Sequence, residues 1–164
     1  MKQLINIAIT IAISFAVIAG LIWLSRTAPP KKSSATSRGL LEASETFFNF
    51  GEISMAQGKV SRNFPIKNSG SESIELNTLY TSCMCTTASF IKAGSRFGPF
   101  GMPGHGFVPP LNQSLTPGEE AGVEVVFDPA AHGPAGVGPI ERVVYLENNA
   151  GRPLELKFRA VVTP

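Results

Sequence analysis

From Thr46 to the C-terminus the apolar residues of this chain recur at every second position, a period that extended strands satisfy and helices do not. The last segment is the clearest. Leu154, Leu156, Phe158, Ala160 and Val162 alternate with Glu155, Lys157 and Arg159, so one face of the strand is apolar and the other polar. Ahead of it "IERVVYLE" (140–147) reads as a second strand, and "NNAG" (148–151) carries tight-turn residues that make the two a hairpin. "AGVEVVF" (121–127) puts Val123, Val125 and Phe127 on one face after the "TPGEE" turn, "IELNTLY" (74–80) and "KVSRNFPIK" (59–67) flank "NSGS", and "TFFNF" (46–50) opens the set. Pro65 has no N–H for a ladder, so 59–67 is expected at an edge or with a bulge. Six or seven short strands, turn signals about every ten residues and no helical run predict an all-β, immunoglobulin-like antiparallel sandwich over 46–164. Ten of the eleven Phe lie in this span, each contributing about 1.5–3 kcal/mol when fully buried in its core, so no disulfide staple is needed.

The N-terminus follows another rule. Leu4 to Leu24 is a run of 21 residues without a charge, which at roughly 1.5 Å rise per residue spans a hydrocarbon core of about 30 Å. Ser25, Arg26 and Thr27 follow it instead of a small-residue cleavage site, and Trp23 fits the interfacial position, so 1–25 reads as an uncleaved transmembrane anchor. Residues 26–45, rich in Pro, Ser and Lys, read as a flexible linker. Only Lys2 precedes the span, whereas Arg26, Lys31, Lys32 and Arg38 follow it, so charge counting alone would keep the body in the cytoplasm. The three-residue tail ahead of the span argues the other way, and we expect a single-pass membrane protein with an extracytoplasmic C-terminal domain. Beyond residue 38 nine Lys and Arg face twelve Asp and Glu, a balance of −3 that repels phosphate backbones and excludes nucleic acid as a partner.

Only two cysteines occur, Cys83 and Cys85, in "TSCMCTT". On a continuous strand their Cα atoms would lie about 6.6 Å apart on one face, too wide for a comfortable disulfide unless the chain turns at Met84. Three readings stay open. The pair is small core packing; or two thiolates grip a soft cation such as Cu(I); or the thiols exchange with partner disulfides, with Lys92 as the one evident cation to stabilise a thiolate. Four-thiolate zinc is excluded by the count. The stretch 91–117, "KAGSRFGPFGMPGHGFVPPLNQSLT" with its leading Ile, is too long and too rich in Gly and Pro for an ordinary connection, and it carries Met102 and His105. Folded back over the cysteines, it would complete a metal site of Cys83, Cys85, Met102 and His105, with His132 in the later "DPAAHGPAGVGP" loop as another neighbour. Phe97, Phe100 and Phe107 are expected to pin the insertion to the sandwich.

Phe50-Gly51, Lys67-Asn68-Ser69-Gly70, Ser82-Cys83-Met84-Cys85-Thr86, Pro117-Gly118-Glu119 and Phe127-Asp128-Pro129 together resemble the bacterial family known as domain of unknown function 1573, over about 46–162. The resemblance implies an immunoglobulin-like domain of the hydin and major-sperm-protein type, usually membrane-anchored or secreted. The family usually has Gly between its cysteines, where Met84 stands here. In layout the chain is also similar to the copper chaperones of cytochrome oxidase assembly, whose cysteine pair is flanked by Phe where this chain has Met84 and Thr86. No catalytic triad, phosphate-cradling glycine loop or carboxylate pair is present in the sequence. The expectation is a non-enzymatic binding or scaffold module that engages another envelope protein, with no small-molecule substrate. Copper(I) handling and thiol–disulfide exchange are the alternatives.

Overall fold

The alternating runs become strands because extended chain is the one conformation that puts all their apolar side chains on a common face. In the computed structural model, which describes residues 38–164, these are β1 (Leu41–Ala43), β2 (Phe47–Ser54), β3 (Val60–Asn68), β4 (Ile74–Thr81) and β5 (Thr86–Lys92). They are followed by β6 (Ser95–Phe100), β7 (Gln113–Leu115), β8 (Glu120–Phe127), β9 (Gly138–Asn148) and β10 (Leu154–Thr163). Two single-turn 3-10 helices, Met55–Gln57 and Gly133–Gly136, interrupt them. The expected anchor over 1–25 and the linker as far as residue 37 lie outside the described residues. Among the described residues no helix is long and apolar enough to cross a membrane.

One sheet has the order β1-β3-β8-β5-β6 and the other β2-β10-β9-β4-β7. Their inner faces meet: Phe127 of β8 and Phe158 of β10 pack with ring centroids 5.4 Å apart. Val123, Val125, Leu156 and Phe158 are fully buried, and Ala160 and Val162 nearly so, as the alternation requires. Asn68 is buried among them with every polar atom engaged. Its Nδ2 donates to the carbonyls of Glu72 and Leu115, and its Oδ1 accepts from the N–H groups of Leu40 and Gly70. It thereby ties the β3–β4 turn to both sheets.

Four expectations change. The sandwich starts before Thr46, because β1 pairs with Ile66–Asn68 and so belongs to the body rather than the linker. The sheets are not wholly antiparallel, since β2 runs parallel to β10. No hairpin dictates the direction of two strands separated by the rest of the domain, and the intervening residues supply the long crossover that a parallel pair needs. β3 is an interior strand despite Pro65. The Pro65 carbonyl accepts from Ser44 N–H at 3.2 Å, so its donor-less nitrogen faces the same side, where β1 has already ended and no ladder bond is missed. The insertion 91–117 is not a single loop: β6 returns on β5 through a two-residue turn at Ala93 and Gly94, both at positive φ, and β7 adds an edge to β4. Phe100 is buried and Phe97 packs on the core, whereas Phe107 is 88% exposed and pins nothing.

Two connections cross between sheets at the same end of the sandwich. Ser82–Cys85 joins β4 to β5 and residues 128–137 join β8 to β9, while Thr86 pairs with Phe127 and Thr81 with Val144. Ladder pairing therefore holds the two loops side by side.

Candidate functional site

The cysteines do not continue a strand. Thr86 N–H donates to the Cys83 carbonyl at 3.1 Å, closing a tight turn with Met84 and Cys85 at its centre. The buried Thr81 hydroxyl lies 3.0 Å from the carbonyls of both Cys83 and Thr86 and stiffens the turn from inside. Ser82 N–H donates to the Val143 carbonyl and Val143 N–H to the Ser82 hydroxyl, each at 2.9 Å, which clips the turn to β9. On the other side, Asp128 N–H donates to the Cys85 carbonyl at 2.9 Å and begins the loop that carries His132. Asp128 Oδ1 accepts from Ala130 N–H at 3.0 Å, an Asx turn that bends this loop back. A Cβ on Gly136 would sit 3.1 Å from His132 Cβ, so the absence of a side chain there lets the loop close tightly around the imidazole.

These contacts bring together two thiols and a ring nitrogen. His132 Nε2 lies 3.3 Å from Cys83 Sγ, and the ligand atoms of Cys83, Cys85 and His132 all fall within 4.8 Å of one another. Both cysteines are free thiols; Cys85 is 2% exposed, Cys83 half-buried and His132 exposed, so the cluster opens to solvent on one side. Arg142 Nε–H donates to Cys85 Sγ at 3.3 Å, and its Nη1 donates to the Glu141 carbonyl at 2.7 Å.

The environment separates the two thiols. Partial burial works against ionising Cys83, but hydrogen bonds from Cys85 and His132, the Cys85 N–H and the charge of Arg142 outweigh it and bring this thiol down to about 7. Burial pushes the Cys85 thiol up, and the hydrogen bond it gives to Cys83 pushes the same way, against the opposing pull of Arg142. The pair thus shares one proton readily and gives up the second reluctantly.

Of the four residues expected to form one site, Cys83 and Cys85 converge and the other two lie elsewhere. Met102 and His105 line a separate hollow with Met84, and the imidazole beside Cys83 is that of His132. Lys92 does not serve the thiols either, because its ammonium bonds the Ser114 carbonyl and pairs with Glu119 at 3.1 Å. The cation that does is Arg142. Its signal was present in the sequence: Arg142 has the strand parity of Ile140, Val144 and Leu146, so it interrupts the inward phase of β9.

Comparison with known proteins agrees with this architecture. Residues 41–99 match the model of the family described as protein of unknown function DUF1573. That span is less than half of the chain and narrower than the resemblance over 46–162. It contains the cysteine turn but neither His132 nor Arg142. No curated protein matches the chain. Among solved structures, a protein of unknown function from Porphyromonas gingivalis W83 superposes with a TM-score of 0.57 at 16% identity, over 79% of this chain and 51% of its own. The chain therefore spans about half of that protein. Looser likenesses are a family 123 glycoside hydrolase from Clostridium perfringens (TM-score 0.49, 7% identity, 71% of this chain, 22% of that one) and PapD-like domain 7 of human CEP192 (TM-score 0.44, 13% identity, 84% and 92%). The fold is an all-β sandwich of two antiparallel-rich sheets.

Proposed function

We propose that this domain is a non-catalytic binding module whose working centre is Cys83, Cys85 and His132, and that the centre holds Cu(I). The observation carrying this reading is the convergence within 4.8 Å of two thiols and an imidazole from connections 49 residues apart. Thiolate donors select soft cations over hard ones. Three donors suit Cu(I), whereas zinc asks for a fourth ligand or a bound water. Charge points the same way: two thiolates and Cu(I) leave one negative charge, which the guanidinium on Cys85 Sγ balances. Under this reading residues 1–25 anchor the module in a membrane, the domain lies outside the cytoplasm, and the partner that donates or receives the metal is another envelope protein.

The test is an anaerobic titration of the full 164-residue chain, in mild detergent, with Cu(I) against a competing chelator. Cys83→Ser should abolish tight binding. Arg142→Leu should weaken it roughly 10–100-fold, the usual effect of removing a group that orients a ligand. Equal, weak retention by the wild type and Cys83→Ser would remove the metal reading.

Thiol–disulfide exchange is the second reading, favoured by one acidic thiol beside one reluctant one. The Cys83 thiolate would attack a partner disulfide, expelling one partner thiolate and forming a mixed disulfide. Cys85 would then lose its proton and attack Cys83, so that the partner leaves reduced and the domain is left with a Cys83–Cys85 disulfide. Intact-mass measurement after incubation with a disulfide-bonded peptide decides it, since this route must generate a species lighter by two hydrogens.

A further inference from the structure

The other face of the cysteine turn holds a second set of soft donors. Met84, flanked by both cysteines, is 50% exposed and lines a hollow of about 400 Å³ together with Met102 and His105. The opposite wall is built by a turn of its own. In Met102-Pro103-Gly104-His105 the His105 N–H donates to the Met102 carbonyl at 3.3 Å and Gly104 has φ 88°, the geometry of a Pro-Gly type II turn, which keeps its first and last residues within about 7 Å. The Gly101 carbonyl accepts from Thr81 N–H at 3.1 Å, so this turn is fastened to the end of β4, next to the cysteine turn. Met102 is half-buried and His105 exposed, which leaves the hollow open at the surface.

We propose that Met84, Met102 and His105 form a second site for a soft monovalent cation, Cu(I) or its analogue Ag(I), distinct from the thiol cluster. Two thioethers and one neutral imidazole carry no negative charge. Hard divalent cations such as Ca²⁺ and Mg²⁺ find no carboxylate or carbonyl cage in that set, and Zn²⁺ finds no thiolate, whereas thioether sulfur is a donor for monovalent copper. Because the donors are neutral, this site binds more weakly than the thiolate centre and fills after it. The methionine between the cysteines thus gains a role that glycine at that position does not have. The site needs only its own three side chains, and it stands whether or not the cysteines hold metal.

The chain offers its own reporters, since Met55, Met84 and Met102 are the methionines beyond the initiator. The full chain with ¹³C-methyl methionine is titrated with Ag(I) and followed by NMR. The methyl signal of Met102 is expected to shift only during the second equivalent, with Met84 moving again in the same step, while Zn²⁺ leaves Met102 unmoved. In Cys83→Ser/Cys85→Ser the same two signals shift during the first equivalent, so loss of the thiol centre does not mask the hollow. His105→Ala or Met102→Leu should weaken the second event at least tenfold and leave the first unchanged. Met55 approaches Gly136 beside His132, so its methyl reports on the thiol centre instead. A static Met102 signal through two equivalents in the wild type, or static Met84 and Met102 signals through one equivalent in the double variant, would overturn the proposal. A static Met55 signal with unchanged thiol reactivity would instead count against the cysteine reading alone.

Discussion

Cys83 and Cys85 sit two residues apart, yet their surroundings lower the first thiol to about 7 and raise the second. Burial alone would raise both thiols; the hydrogen bond from the Cys85 thiol, then His132, the Cys85 N–H and Arg142, reverse the sign for Cys83 only. In the metal-free chain, alkylation at Cys83 is expected to rise with pH around a midpoint of about 7, while Cys85, raised above its ordinary value, reacts only at higher pH. Arg142→Leu should move the Cys83 midpoint upward. The linked effect on stability has a defined sign. A thiol whose folded value lies below its unfolded one stabilises the fold at high pH, and that contribution is lost as pH falls through about 7. Ionising Cys85 has the opposite sign and costs stability as pH rises beyond 9.0. Peptide mapping of alkylated protein across pH checks both, and equal reactivity of the two thiols at every pH would contradict the separation.

At the scale of elements, short connections do the positioning. The cysteine turn is held by two hydrogen bonds to β9 and one to the loop after β8, so its geometry is inherited from two segments distant in sequence. The β3–β4 turn shows the same dependence. A Cβ at Gly70 would fall 2.4 Å from Leu40 N and 2.5 Å from the Arg38 carbonyl, contacts with backbone that has no flexible end to move aside. Gly70→Ala should therefore push the chain ahead of β1 off the body, break the Leu40–Asn68 hydrogen bond and leave a buried acceptor partly unsatisfied, costing about 1–3 kcal/mol. Hydrogen exchange offers the measurement: faster exchange over residues 39–43 with β9 and β10 still protected is expected, and unchanged protection of β1 would refute it.

For the whole molecule, stability resides in the interface between the sheets, not in sulfur. Phe158 has no exposed surface and touches both Phe50 and Phe127, with ring centroids 5.4 Å away in each case. Phe158→Ala should cost about 3–5 kcal/mol in denaturant unfolding, since neither sheet can collapse into the space left without breaking its ladder. A reductant should leave the wild-type transition where it was, because both thiols are already free. A cost below about 1 kcal/mol for the truncation would mean that the two sheets pack less tightly than their rings indicate.

The strands were legible because alternation is a local property: Leu156, Phe158, Ala160 and Val162 declare their buried face without reference to any other segment. The β5–β6 hairpin was hidden because Ala93, a residue that rarely takes positive φ, occupies a turn position where Asn or Gly is the usual signal. Parallel β2 and interior β3 were hidden because neighbours in a sheet are chosen by the whole chain and not by the strand. At the site, composition alone singled out the cysteine pair as the candidate, with core packing, a soft cation and thiol exchange all left open. The tertiary structure alone decided that His132 and Arg142 face it while Met102 and His105 turn to the other side of Met84. Hydrophobic periodicity is written along the chain one strand at a time, whereas convergence of side chains 49 or 57 residues apart depends on how the two sheets are closed over each other.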